Sequence, residues 1–400
     1  MRDAAFPPVQ KLTTGPGYHW FGYYDKLQTD PAGRFVLGMK VGFEHRSPTA
    51  DDVIEVGLID RQIGNQWVSL GESRSWGWQQ GCMLQFRPGH PHEIVWNDRV
   101  GDHHATRILN LQTGAERVLD DAIYCLSPDG RFGVGTDFRR IQNMRPGYGY
   151  AGLPDPNESN RTPDDTGIYR LDLDTGQKTT LVSIRDLALI PHRGESLAGF
   201  WNYFNHLLIS PDGQRLVFLH RWRRTMGERA SRASGGFETR MVTMDGDGSN
   251  IYILDPSGNT SHFIWRDPEH ICAWTQPEGG AERFYLFRDR TAELEPVGHR
   301  LMPRNGHNTY LPAPHADWIL NDTYAHQSGR KQELYLYHPG QDRRIELGAF
   351  PAAPEYTGEW RCDLHPKATP DGRTILIDST HEGDGRQIYA VDISQLPLGS

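Results

Sequence analysis

The sequence predicts an all-β chain folded as a seven-bladed β-propeller of four-stranded antiparallel blades, and three observations carry that prediction. A turn of the form x-Pro-Asp-Gly, flanked by short apolar runs, recurs along the 400 residues. Each copy is followed by a polar loop and a strand-like segment of alternating apolar residues, the order expected within one blade. The composition, with 43 Gly, 27 Pro, 11 Trp, 16 Tyr and 15 Phe, is rich in turn formers and large aromatics and lacks the Ala/Leu/Glu/Lys bias of helical bundles.

In chain order the hairpins are LQTDPAGRFVLGM (27–39), LQFRPGHPHEIVW (84–96), YCLSPDGRFGVG (124–135), LLISPDGQRLVFL (207–219), AWTQPEGGAERFYLF (273–287), TYLPAPHADWILN (309–321) and KATPDGRTILID (367–378). The fifth fits the frame least well. Segments such as IYRLDLDTGQ (168–177), IYILDPSGN (251–259), LYLYHPGQ (334–341) and IYAVDIS (388–394) supply outer strands ending in turns. A mean spacing of about 56 residues makes residues 1–400 one propeller domain, with blades beginning near 18, 78, 121, 201, 262, 305 and 360. The competing architecture is a β-sandwich or two stacked β-domains. Only short segments near 184–190 and 226–234 have any helical character, and both carry loop-like composition.

A net charge of -9 disfavours a nucleic-acid protein, which needs a concentrated basic surface. No stretch approaches the roughly 18 apolar residues needed to span a bilayer, so no membrane partner is expected. The start MRDAAFPPVQKL lacks the apolar core of a signal peptide, which reads as cytoplasmic, or as periplasmic or secreted if a leader has been trimmed. Cys82, Cys125, Cys272 and Cys362 are too few and scattered for a disulfide framework and read as reduced, mostly buried thiols. There is no G-x-S-x-G elbow, P-loop or G-x-G-x-x-G before a helix, so serine-hydrolase and nucleotide-enzyme readings lose their main support.

In a blade the Pro-Asp-Gly turn lies on one face, so the entry into the first strand and the loop between the second and third strands share the other. Long insertions fall on that second face, at 41–52, 97–107, 137–167, 220–240, 321–332 and 379–387. Their grouping argues for a site there, and their Arg, His and Tyr content argues for an anionic ligand. His206, His307 and His365 each stand five residues before a turn proline, which brings them together beside the central channel. With Cys362 they make three imidazoles and a thiol, suited to a tetrahedral zinc or related ion; polar lining of a wet channel is the bland alternative. His270 and Cys272 are expected at the corresponding edge of the fifth blade.

The loops add His103 and His104 with Asn97 and Arg99, Tyr148 and Tyr150 after Arg139 and Arg140, and His220 with Arg221. Together they offer guanidinium groups for a carboxylate and His or Tyr for proton transfer. Trp20, Trp76, Trp78, Trp201 and Trp222 are candidates for stacking on sugars or for packing between blades. Asp98, Asp137, Asp322, Asp378 and Glu382 lie near the same face, but nothing in the sequence pairs two of them as a glycosidase requires.

The segments HWFGYYDK (19–26), WQQGCMLQF (78–86), NDRVGDHH (97–104), FNHLLISPDG (204–213), GHNTYLP (306–312), WRCDLHPKATPDG and DSTHEGDGRQ (360–387) resemble the propeller polysaccharide lyases, ulvan lyases most and oligogalacturonate lyases more distantly. The resemblance runs through nearly the whole chain. It implies a seven-bladed propeller that cleaves uronic-acid glycans by β-elimination, using His and Tyr for proton transfer and Arg for the carboxylate. It implies metal ligands at His307, Cys362 and His365 with His206 as the fourth, zinc being expected first and manganese or calcium next. It also implies proton transfer at His103 or His104 and Tyr148 or Tyr150. For the carboxylate it points to Arg221, with Arg161 and Arg304 behind it. Asn97, Arg99, Arg139, Arg304, Trp222 and Tyr324 complete the expected substrate contacts, and an anionic oligo- or polysaccharide is the expected partner of a monomer or weak dimer. A propeller glycoside hydrolase releasing a sugar such as rhamnose beside a uronate, and a non-catalytic glycan-binding propeller, are the two alternatives.

Overall fold

Seven four-stranded antiparallel sheets make up the computed structural model, which describes residues 6–225, 237–325 and 329–399. The first blade pairs Tyr18–Trp20, Phe35–Val41, Ile54–Asp60 and Gln66–Ser73 in chain order. The next five repeat this order, their first strands being Gln85–Phe86, Cys125–Leu126, Trp201–Ile209, Phe263–Trp265 and Thr309–Tyr310. The fold is therefore the seven-bladed β-propeller expected from the repeat.

The Pro-Asp-Gly signal works through side-chain and backbone closure together. In Ser127-Pro128-Asp129-Gly130 the Ser127 hydroxyl donates to Asp129 at 2.7 Å, the Gly130 N–H returns to the Ser127 carbonyl at 2.9 Å, and Gly130 takes a φ of 68°. Thr369 to Gly372 closes in the same way, with 2.6 and 2.9 Å bonds. Proline sets the first turn dihedral, aspartate tethers the second, and glycine alone accepts the left-handed fourth position without cost.

Two features depart from the sequence reading. In the fifth blade the first hairpin turns at Asp267-Pro268, where the Asp267 carboxylate accepts the Glu269 and His270 N–H groups at 2.9 Å. The segment AWTQPEGG instead joins His270–Thr275 to Arg283–Arg288, on the opposite face. His270 therefore sits at the turn face, bonded to Asp267 at 2.9 Å, and Cys272 is buried in mid-strand, so neither reaches the channel. The seventh blade is closed by the chain's own start: Val9–Lys11 pairs with Gln387–Asp392, outside Thr374–Ser379 and Lys367–Ala368. This ties the two ends of the chain together and covers a strand edge that would otherwise be open.

Between blades the core is aromatic. Trp20, Trp76 and Trp78 are each 1% exposed and pack with ring centroids 5.2–5.7 Å apart, so they are inter-blade packing and do not stack on sugars. Trp222, also 1% exposed, lies against His192 at 4.8 Å. All four cysteines are free and buried. Of the two weak helical segments, Ile184–Ala188 is a short helix with a Ser183/Asp186 capping box, and 226–234 lies outside the described residues. A further helix, Phe138–Met144, begins the 137–167 insertion and is capped by Asp137. Among the described residues no helix is long and apolar enough to cross a membrane.

Candidate active site in the central channel

Four successive blades each deliver one histidine to the channel: His206, His262, His307 and His365, none more than 5% exposed. Neighbouring rings lie 6.2 Å (His206–His262), 4.3 Å (His262–His307) and 4.4 Å (His307–His365) apart. Backbone geometry aims two of them. His206 has φ 54° at an irregularity in strand register between Asn205 and Leu208, and His365 has φ 45°. Left-handed backbone at a β-bulge re-directs a side chain and costs roughly 1 kcal/mol for a non-glycine residue, a strain concentrated at functional positions. Tyr23 enters from the first blade, after Gly22 (φ 103°), where a side chain would meet the Gln80 carbonyl at 3.1 Å. Its ring lies 5.1–5.7 Å from those of His206, His307 and His365.

His307 and His365 are held alike. His307 Nδ1 lies 3.0 Å from both Asp322 oxygens, and His365 Nδ1 faces Asp378 at 4.0 Å. Both Nε2 atoms are buried without a hydrogen-bond partner. The ligand atoms of His307, Asp363 and His365 lie within 4.8 Å of one another, the one such group among the described residues. Cys362 and His206 are outside that set; Cys362 is buried, its carbonyl accepts from Gln332, and burial pushes its thiol up. Asp363, next to Cys362, is the third member.

His262 has a defined tautomer. Its Nδ1 lies 3.0 Å from Asn305 Oδ1, an amide whose Nδ2 donates to Ser261 at 3.0 Å, so Nδ1 carries the proton. Nε2 is then the acceptor for the Tyr324 hydroxyl at 3.1 Å. Burial pushes His262 well below its ordinary pKa, and the same holds for His206, so both are neutral at pH 7. For His307 burial also opposes charging, but the Asp322 carboxylate outweighs it and holds the group above its ordinary value.

Cationic groups lie close to the histidines, Arg221 and Arg145 by His206 and Arg361 by His365. Arg361 donates to the Tyr148 hydroxyl at 2.7 Å and is ion-paired with Asp363. Arg221, 3% exposed, donates from Nε to Thr239 at 3.3 Å, but its Nη1 has no partner and no carboxylate among the described residues pairs with it. Burial and Arg145 lower its pKa to about 10, leaving it charged. Arg145 lies over the Tyr148 ring at 3.9 Å, with its own Nη1 buried and unpartnered. The 137–167 insertion brings Arg145 and Tyr148 here. It is pinned by buried Arg140, which pairs with Asp155 at 3.2 Å and donates to the carbonyls of Asn157, Arg161 and Asn202.

Of the residues singled out in the sequence, His206, His307, His365, Tyr148, Tyr324 and Arg221 meet at the channel. The others do not. Tyr150 is stacked on Phe138 at 4.1 Å and accepts from Asn97, which also binds both backbone groups of Ile123, so these two side chains join the second and third blades. His104 bonds Ser75 at 2.6 Å and His103 lies by Asp102 at 3.2 Å, on the outer part of the second blade. Arg99 donates to Ala50, Arg139 clasps Asp137, Arg304 pairs with Glu333 at the surface, and Trp222 is core. Missing from the sequence reading were His262, Tyr23, Arg145, Arg361 and Asp363. His262 stands six residues before Pro268, one off the frame of the other three, and the misplaced fifth hairpin hid it.

Burial of so many neutral histidines has a pH signature. Burial lowers His19 and His104 to about 4 and His206, His220, His262 and His365 well below the ordinary value. Below pH 6.5 the unfolded chain therefore binds more protons than the folded one, and stability falls with pH. His307, raised, acts in the opposite sense and is outnumbered. The urea midpoint is expected to drop steadily from about pH 6.5 to 5. A midpoint constant across that range would contradict this burial pattern.

Searches of protein-family models and of curated proteins find no match to the chain. Among solved structures it is similar to an oligogalacturonate lyase from Vibrio parahaemolyticus, with 16% identity, a TM-score of 0.68, and 98% of this chain and 95% of that one covered. An oligogalacturonate lyase in complex with manganese gives 15% identity, a TM-score of 0.68 and coverage of 99% and 96%. A puromycin-hydrolyzing peptidase from Mycobacterium tuberculosis is also similar, at 15% identity and a TM-score of 0.51, this chain matching 55% of its length. At these identities the likeness is one of fold: a seven-bladed propeller shared along the full length with lyases and in part with peptidases.

Proposed function

We propose that the protein is a lyase that cleaves a uronate-containing oligo- or polysaccharide by β-elimination at the channel mouth. The observation that carries this reading is the buried guanidinium of Arg221 and the half-buried one of Arg145, each with a buried Nη1 that lacks a partner, close to neutral His206 and to Tyr148. Buried charge without a counter-ion is costly unless a ligand supplies one, and a uronate carboxylate does so bidentately. Ulvan, implied by the sequence resemblance, and oligogalacturonate, named for the structural neighbours, both present this group.

In the proposed reaction the C5–H bond breaks, its electrons form the C4–C5 double bond, and the C4–O bond breaks with the leaving oxygen taking a proton. Removing a proton beside a carboxylate builds negative charge on that carboxylate, which the arginines stabilise. His262 is neutral and its Nε2 accepts from Tyr324, so the Tyr324 oxygen takes the C5 proton as its own hydroxyl proton passes to Nε2, which makes His262 the final acceptor. Tyr148, held by Arg361, is the donor towards the leaving oxygen. A hydrolase pair of free carboxylates finds less support, since Asp322 and Asp378 face His307 and His365. Product masses test the reading: elimination products sum to the substrate mass, whereas hydrolysis adds a water.

His307, Asp363 and His365 fit a divalent cation, because two buried Nε2 atoms lack partners and both Nδ1 atoms face carboxylates, the arrangement that orients metal-bound imidazoles. Two imidazoles and one carboxylate suit manganese or zinc better than calcium, which prefers an all-oxygen shell. A cation bound there supplies a Lewis acid next to the uronate site. His365→Ala is expected to lower bound metal by elemental analysis to near zero, and chelation is expected to abolish turnover until manganese or zinc is returned. Unchanged metal content in the variant would remove the assignment.

A further inference from the structure

We propose that a cavity between the second and third blades, away from the channel, is a second, non-catalytic saccharide site that takes a neutral sugar residue. The cavity has a volume of about 190 Å³, room for several waters or for one pyranose ring. It collects residues that the sequence marks for ligand binding and that the channel does not use: His103, His104 and Arg139.

Its walls combine hydrogen-bonding groups already held in place with apolar surface. Lys178 bridges the two blades to Asp121 at 2.6 Å, Arg139 clasps Asp137 at 2.8 Å, and Asn157 donates to Asp165 at 2.8 Å. Two of these carboxylates are thus paired with cations, and the lining as a whole stays net acidic, with Asp120, Asp121, Asp137 and Asp165 against Arg139 and Lys178. A phosphate or uronate would meet Asp120, Asp121, Asp137 and Asp165, which excludes an anion as the favoured occupant. Neither do the carboxylates converge as a cation site, since the one metal-type cluster among the described residues is in the channel. What remains is a field of fixed acceptors and donors suited to several hydroxyls at once, with the partly exposed Tyr169 and exposed Pro156 beside them for the C–H face of a sugar. His104, 8% exposed, lines this cavity, and its Nε2 has no hydrogen-bond partner in the protein.

The cavity and the channel are joined by one element. Phe138 and Arg139, at the start of Phe138–Met144, line the cavity, and Arg145, immediately after its end, reaches the channel. Seven helical residues span roughly 10 Å, about the reach of two sugar units. A chain with one residue in the channel can therefore set a neutral residue in the cavity, so the second site favours polymers over short substrates.

Saturation-transfer NMR with D-galactose, D-xylose and L-rhamnose tests the binding by itself, independently of any lyase activity. At least one sugar is expected to bind, and Asp165→Asn and His104→Gln are each expected to weaken it roughly 10-fold, the loss of one good hydrogen bond. His104→Gln also serves if Asp165→Asn perturbs the loop. No transfer to any sugar, transfer unaffected by both variants in folded protein, or binding of calcium or inorganic phosphate in place of sugar would overturn the proposal. Where elimination is detected, Asp165→Asn should raise KM several-fold for a polymer and leave the rate on a disaccharide unchanged.

Discussion

His262→Ala is expected to lower kcat by roughly 10²- to 10⁴-fold, the usual contribution of a positioned general base, while KM moves little. The ring is held in one tautomer by its neighbours: Nδ1–H donates to the Asn305 amide oxygen, and Nε2 accepts from the Tyr324 hydroxyl. It lies outside the group of His307, Asp363 and His365, so bound metal should be retained. Steady-state kinetics with metal analysis on the same preparation separates proton transfer from loss of the cation. A variant with near-wild-type kcat would move the proton role to Tyr23 or His206.

Arg221→Met should show opposite effects on stability and activity. The guanidinium is buried against Phe237 at 4.6 Å with an unpartnered Nη1 and no carboxylate among the described residues. Replacing an unpaired buried charge by an apolar side chain of similar length relieves a desolvation cost, and Tm is expected to rise by a few degrees. The same change leaves the substrate carboxylate without its partner. Removing one member of a buried charge pair costs about 2 kcal/mol or more, which lowers kcat/KM by roughly 30-fold or more. Calorimetry and kinetics on one sample decide it. A fall in Tm with kcat/KM preserved would make Arg221 a structural residue, and Arg145 would then carry the carboxylate alone.

The fold was legible in the sequence because its determinants are local. Each Pro-Asp-Gly turn closes with its own Ser or Thr and its own Gly, so the repeat can be read one hairpin at a time. The closing strand Val9–Lys11 was not legible, since its partner, Gln387–Asp392, lies at the far end of the chain. In the site, His206, His307 and His365 followed from their common distance to a turn proline. His262, displaced by one position, did not.

Residues on loops proved harder still. Tyr148 and Tyr150 are two apart in one segment, yet Tyr148 meets Arg361 at the channel and Tyr150 is stacked on Phe138 in the core. Which of them faces the ligand depends on how Arg140 pins the insertion, a long-range packing decision that spacing does not encode. Asp363 and Cys362 present the same lesson. A buried thiol and a buried carboxylate are adjacent in sequence, and only the fold turns the carboxylate towards His307 and His365.

The most direct test of the central claim is ultraviolet absorbance of the unsaturated uronate during incubation of the metal-loaded protein with ulvan, oligogalacturonate and glucuronan. A rise on at least one of them, abolished in His262→Ala, is the result expected of β-elimination in the channel. New reducing ends without any rise in absorbance, or a rise that His262→Ala leaves intact, would contradict it.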